Sequence, residues 1–230
     1  MQAKGVLGVW TGAKPGTDAA FNEWYNREHM NERCDVPGFL NGRRYRAISG
    51  TPRYMALYDL ADIGVLASPA YRKALDNPSP WTRQCMAYFD GIIRSEFIIR
   101  HQAGRGHGGV VASFRATVRG LPDARFASWL GASALPAIVE QPGIVAARYL
   151  ETANTGKALA NTESKLRAQA DRIADWAIVI EGGDLAAVRA ACRTILSADE
   201  LRTQGAGRNY RIGCYRQLCS AEPLVLTKGS

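Results

Sequence analysis

Near the start of the 230-residue chain, Tyr25, Glu28 and His29 stand at helical spacing. Residues three and four apart share one helix face, so these three groups can converge. A histidine with an ordinary pKa of ~6.5 moves protons near neutral pH. A nearby carboxylate orients the imidazole or raises its basicity, and a phenol donates a hydrogen bond to a developing oxyanion. The set therefore reads as acid–base chemistry, with His29 as general base or acid, Glu28 as its partner and Tyr25 as oxyanion donor. Further along, Arg43, Arg44 and Arg46 form the densest basic group. Guanidinium grips carboxylate bidentately, which makes Arg43 and Arg46 candidates for holding an anionic substrate.

These groups need a helix and a strand to position them. Asp18 is a good N-cap, and Pro37-Gly38 stops and turns the chain, which predicts a helix from about Asp18 to about Cys34. Phe21, Trp24 and Tyr25 anchor its apolar face, and Glu28 and His29 extend the same face. A strand follows over Phe39–Ala47. Along it Asn41, Arg43 and Tyr45 share one side and Leu40, Arg44 and Arg46 the other. Which side faces the helix is open at this level.

The same order of segments occurs twice. GVLGVW at Gly5, the aromatic helix at Phe21 and the Pro-Gly turn at Pro37 match GVVASF at Gly109, FASWLGASA at Phe126 and the turn at Pro142. Arg44-Tyr45 matches Arg148-Tyr149, and the offset stays at 104 to 105 positions throughout. Such self-similarity points to two copies of one module, 1–104 and 105–230. In each copy the pattern predicts strand, helix, two strands, helix, strand. Copy one adds Tyr54–Leu60, a helix over Val65–Asp76 and Ile92–His101. Copy two has a helix over Pro122–Val139, then Ile144–Glu151, Trp176–Glu181, a helix over Asp184–Leu196 and Tyr210–Leu218. A polar insert, Thr152–Arg172, separates the middle strands of copy two.

The order β-α-β-β-α-β is the ferredoxin-like split unit. The expected fold class is α+β, with two tandem units whose antiparallel sheets pair into one α/β barrel. A (β/α)8 barrel needs strict alternation, which two successive strands in each copy break.

The two copies differ in their first helices. Copy two continues its stripe with Leu130, Ala134 and Ala137. Ala134 stands where copy one has His29, and Ser133 where it has Glu28. Burying a carboxylate and an imidazole is unfavourable unless they are paired or useful, and copy two shows that the fold does without them.

Composition limits the partners. The net charge is +8, from 29 Lys and Arg against 21 Asp and Glu, which favours anions. The basic residues are dispersed, so no nucleic-acid-binding tail is expected. No apolar run approaches the ~20 residues that span a bilayer, and no membrane association is expected. The 5 cysteines lack C-x-x-C spacing and suit a reducing, cytoplasmic setting. The 3 histidines have no accompanying carboxylate cluster at ligand spacing, so no metal site is expected. Phosphate-loop and nucleophile-elbow motifs are missing, and the Gly-rich linker around His107 reads as a loop.

The run Trp24-Tyr25-Asn26-Arg27-Glu28-His29, followed by Val36-Pro37-Gly38-Phe39 and Arg43-Arg44-Tyr45-Arg46, resembles the dimeric α/β-barrel superfamily, and most nearly its EthD-like members. The resemblance is clear over Gly5–Asp76 and weaker in the second copy. It implies a ligand pocket between helix and sheet of the first unit, lined by Trp24, Tyr25, Glu28 and His29, with Asn41, Arg43, Arg46 and Tyr58 as substrate-binding candidates. It further implies a cofactor-independent isomerase, cyclase or decarboxylase acting on a small unsaturated or aromatic carboxylate, as in aromatic-compound catabolism. The alternative is a haem or small-ligand binding protein, or a cofactor-free monooxygenase, using the same pocket. A monomer with an intramolecular barrel, or a homodimer, is expected.

Overall fold

The computed structural model describes residues 2–116, 122–153, 161–167, 169–207 and 209–224. The strands are β1 (Gly5–Ala13), β2 (Phe39–Ser49), β3 (Tyr54–Leu60), β4 (Phe89–Gly104), β5 (Val110–Ala116), β6 (Ile144–Thr152), β7 (Trp176–Gly182) and β8 (Tyr210–Ala221). They close into one antiparallel barrel in the order β1-β3-β2-β8-β5-β7-β6-β4. Each half contributes the pairing expected of a split unit. β1 lies between β3 and β4, and β5 lies between β7 and β8. The halves join through β2–β8 and β4–β6. The antiparallel register excludes the (β/α)8 alternative, whose strands are all parallel.

Period-two alternation sorts the side chains between two sides of the barrel wall. Val6, Trp10, Tyr45, Leu57, Val111 and Val179 belong to the cluster that fills the interior. The opposite sides of the same strands face helices, and one apolar cluster forms there in each half. β3, β5 and β7 are buried along their whole length, as expected of strands covered on both faces.

The helices are α1 (Asp18–Trp24), α2 (Met30–Cys34), α3 (Pro69–Asp76), α4 (Pro80–Met86), α5 (Ala124–Trp129), α6 (Leu135–Val139), α7 (Thr162–Leu166), α8 (Leu185–Ile195) and α9 (Ala198–Thr203). The expected helix over Asp18–Cys34 is continuous but contains a π-helical turn at Tyr25–His29, and its counterpart contains one at Leu130–Ala134. The wider turn changes which residues face the sheet, a feature that α-periodicity does not reveal. Ser68-Pro69 and Ser79-Pro80 start α3 and α4, each serine accepting a backbone N–H of the first turn. The segment expected as one helix from Val65 is a 3₁₀ turn (Ile63–Ala67) followed by α3. α4 and α9 are additions to the expected pattern. Gly38 and Gly143 take positive φ values of 97° and 79° at the two Pro-Gly turns, which only glycine enters without strain.

The insert of the second half carries α7, started by an Asn161–Ser164 capping box. Positions 154–160 and 168 of that insert, and 117–121, lie outside the described residues. Among the described residues no helix is long and apolar enough to cross a membrane.

Candidate active site

A cavity of about 720 Å³ opens between the first-half helices and the outer face of β1, β3 and β4. Leu7, Val9, Leu66, Met86, Phe89 and Ile92 give it apolar walls. Tyr25, His29 and Tyr58 reach it from the helix and from β3. Arg33, Tyr71, Arg94 and Glu96 make it polar at another part of the wall. The remaining wall comes from the second half, through Glu163, Arg167 and Asp171 around α7.

His29 is 7% exposed, sandwiched near Trp24 and Tyr25 at ring distances of 4.3 and 4.9 Å. Burial, reinforced by Arg33, Arg167 and Arg44, holds its pKa well below the ordinary value. The imidazole is neutral at pH 7. Its Nδ1 is buried without a hydrogen-bond partner and lies 3.9 Å from Glu32, too far for a hydrogen bond. Tyr25 is buried with its phenol pushed up to about 12, chiefly by desolvation, and stays a proton donor across the physiological range. The Arg44 guanidinium lies 4.3 Å from the centre of the Tyr25 ring. Tyr58 donates to Met30 Sδ at 3.2 Å, and burial raises its pKa well above normal.

Several sequence-derived roles require correction. Glu28 does not orient His29. Its Oε1 accepts from Ser79 Oγ at 2.6 Å and Thr82 Oγ1 at 2.9 Å, which ties the π-turn to the start of α4. Thr82 in turn accepts from Trp24 Nε1 at 3.0 Å, so Trp24 backs His29 and does not line the cavity. Arg43 and Asn41 are also outside it. Arg43 is 2% exposed and bonds Asp59 and Glu181, while Asn41 donates to Asp59. Arg46 is exposed on β2 and reaches no cavity wall.

The pairing of equivalent residues explains the error over the arginines. Arg43 faces Leu57 across β2–β3, and Arg148 faces Val179 across β6–β7. Arg43 and Arg148 are therefore the equivalent pair, and Arg44 corresponds to Tyr149. The match of Arg44-Tyr45 with Arg148-Tyr149 was one residue out of register, and a one-residue slip moves a strand side chain to the other face. Arg43 and Arg148 cross-link Asp59 and Glu181 in a buried four-residue ion network. Against the upward push of burial, His107, Arg43 and Arg148 hold Glu181 down at about 2. The linker histidine His107, read as an uninvolved loop residue, closes this network beside Asp59 and Glu181.

The same registers extend the contrast between the halves. Tyr25, His29 and Arg33 correspond to Leu130, Ala134 and Ile138, counted from the matching π-turns. Tyr58 faces Leu7 where Ile180 faces Ala112, and Arg94 faces Val9 where Ile212 faces Phe114. The second groove is packed by Phe126, Leu130, Tyr149 and Trp176, all buried. Of the residues singled out from the sequence, Tyr25, His29 and Tyr58 line the cavity, and Arg33 and Arg94, not singled out there, line it with them. Arg33 sits four residues beyond His29 on the helical pattern, and that spacing was the available signal. Among the described residues no group of three or more His, Cys, Asp or Glu converges to hold a metal ion.

No family model and no curated protein matches the sequence. Solved structures do match along nearly the whole chain. An anthrone oxidase-like protein superposes with a TM-score of 0.62 at 12% identity, covering 99% of this chain and 97% of that one. A candidate monooxygenase from Fusobacterium nucleatum subsp. nucleatum ATCC 25586 gives 0.59 at 10% identity, covering 96% of each. A candidate chlorite dismutase gives 0.52 at 12%, covering 95% and 96%. At these identities the likeness is one of fold, a closed antiparallel barrel of ferredoxin-like units with helices packed outside it.

Proposed function

We propose that the first half houses a proton-transfer enzyme acting on a small unsaturated or aromatic acid, with His29 as general base. One observation carries this reading: a neutral, unpaired imidazole at the wall of a largely apolar cavity, in a place where the other half has alanine. The guanidiniums that disfavour the imidazolium, Arg33, Arg44 and Arg167, favour an enolate formed beside it. His29 takes a proton from an acidic C–H of the substrate, and the electron pair moves onto the adjacent carbonyl oxygen. Tyr25 or Tyr58 donates a hydrogen bond to that oxyanion. Reprotonation at another carbon completes an isomerisation. Attack of the carbanion on a second carbonyl carbon of the same substrate, whose oxygen takes up the proton, makes the step a cyclisation. Where a β-keto acid loses CO2 in place of the C–H proton, protonation of the same enolate at carbon completes a decarboxylation.

In a second reading the same carbanion meets dioxygen, giving cofactor-free oxygenation. The anthrone oxidase-like and monooxygenase neighbours motivate it. Both readings share the first step, so one experiment tests both. Enzyme-dependent hydrogen–deuterium exchange at the acidic methylene of an aromatic ketone such as anthrone is expected, and it should vanish in His29→Ala. Oxygen uptake then separates the two readings. Exchange that survives in folded His29→Ala would sink both.

The residues fit haem poorly. The two propionates of haem need two free cations, yet Arg94 and Arg167 pair with Glu96 and Asp171, and opening the Arg33–Glu163 pair frees one guanidinium only. We divide the chain at 104/105 into a site-bearing unit and a filled one, derived from a duplication. We assign it to the cytoplasm, with neither nucleic acid nor membrane as partner.

A further inference from the structure

Arg33 and Glu163 form an ion pair across the two halves, 2% and 3% exposed, at the cavity wall. Arg33 Nη2 donates to Glu163 Oε1, while Nη1 is buried with no partner. Glu163 sits on a helix of five residues, α7, on which Thr162 bonds Asp76. Beyond the helix the insert is tied to the barrel by Gln169 on the backbone N–H of Gly91 and by a backbone bridge of Arg172 to β4. Leu166 is its partly buried apolar contact. Arg94 stands on a barrel strand, whereas the carboxylate stands on a one-turn helix nine residues ahead of the insert's backbone bridge to β4.

We propose that Glu163 is a built-in stand-in for the acid group of the substrate, and that an aromatic monocarboxylate displaces it from Arg33. The charge count supports one negative charge. Arg167 and Asp171 pair with each other on the same insert. With the insert set aside, the cavity wall keeps Arg33 and Arg94 against Glu96, one positive charge in excess. A second carboxylate added to the intact Arg33–Glu163 pair would be buried without compensation, which is strongly unfavourable. A monoanion therefore exchanges with Glu163, whereas a neutral ring binds without disturbing it. Glu163 thus sets the class of ligand, and α7 moves only for an acid. The inference rests on the reading of the cavity as a substrate site but not on its turnover.

The test compares two probes with the same ring in the full chain at pH 7, 1-naphthoate and the uncharged 1-naphthol. Glu163→Gln should bind 1-naphthoate about tenfold or more tighter than the wild type, with 1-naphthol unchanged. Arg33→Gln should lose a similar factor for 1-naphthoate alone. In the wild type, saturating 1-naphthoate should speed backbone hydrogen exchange over residues 161–167, and 1-naphthol should not. Equal naphthoate affinity in Glu163→Gln and wild type overturns the proposal. If that variant does not fold, the wild-type exchange experiment decides, and unaltered protection over 161–167 overturns it. Failure of both probes to bind would remove the substrate-site reading too, whereas naphthol binding without discrimination removes this inference alone.

Discussion

The indole of Trp24 lies against the imidazole of His29, with ring centroids 4.3 Å apart and planes tilted by 33°. Thr82 and Glu28 lock the indole in place, so the ring that desolvates His29 is itself fixed. This contact makes His29 a neutral acceptor in a dry setting.

His29→Ala should fold, because alanine already occupies the matching turn at Ala134. The lost proton acceptor should lower turnover by about 10²–10⁴-fold. Circular dichroism and the anthrone exchange rate check the two halves of this statement. Full exchange activity in the variant would remove the assignment.

The pH dependence has a defined sign. His29 titrates well below 6.5 in the folded state and at ~6.5 unfolded, so the unfolded chain binds the extra proton as pH falls. This contribution to stability is complete above pH ~6.5 and declines below it, by at most about 1.4 kcal/mol per pH unit. Base activity should persist down through pH 6.5 and be lost only well below. Urea titrations at several pH values, with His29→Ala as the control, measure the difference.

Glu28→Gln should behave as a structural lesion. Weakening the acceptor of Ser79 and Thr82 should cost about 1–2 kcal/mol in urea unfolding. The pH profile of exchange should keep its shape. A shift of that profile would restore Glu28 as the partner of His29.

Arg43→Met leaves two buried carboxylates short of a cation and should destabilise the barrel by about 3–5 kcal/mol. Arg46→Ala, at an exposed position, should change stability by less than about 0.5 kcal/mol. Neither should alter the affinity for 1-naphthol. Weakened naphthol binding in folded Arg43→Met would place Arg43 at the cavity.

Haemin titration should give no Soret shift that depends on His29. A shifted band in the wild type that is absent in His29→Ala would show that the paired arginines can be released for two propionates.

The barrel was legible because both of its signals are local and occur twice. Alternating apolar strands and Pro-Gly turns located all eight strands, and β3 was placed to the residue. The cavity wall was legible where helical spacing operates, at Tyr25 and His29. It failed where a carboxylate had a second option. Nothing in the neighbours of Glu28 along the chain announces Ser79 and Thr82, which arrive from another helix. The π-turn has no sequence period of its own, and bulges in β2 conceal which arginine faces inward. Arg33–Glu163 joins residues 130 positions apart, a separation that no periodicity reports.

A barrel assembled from two identical copies must place the same side chains under both helices. A continuous chain is released from that symmetry. Here one groove is packed with leucine, isoleucine, phenylalanine and tryptophan, while the other keeps a hollow edged with arginine and histidine. The cohesion lost by leaving one side hollow is offset by the solid side, so the molecule can support a poorly packed, polar pocket that a twofold assembly would have to carry twice.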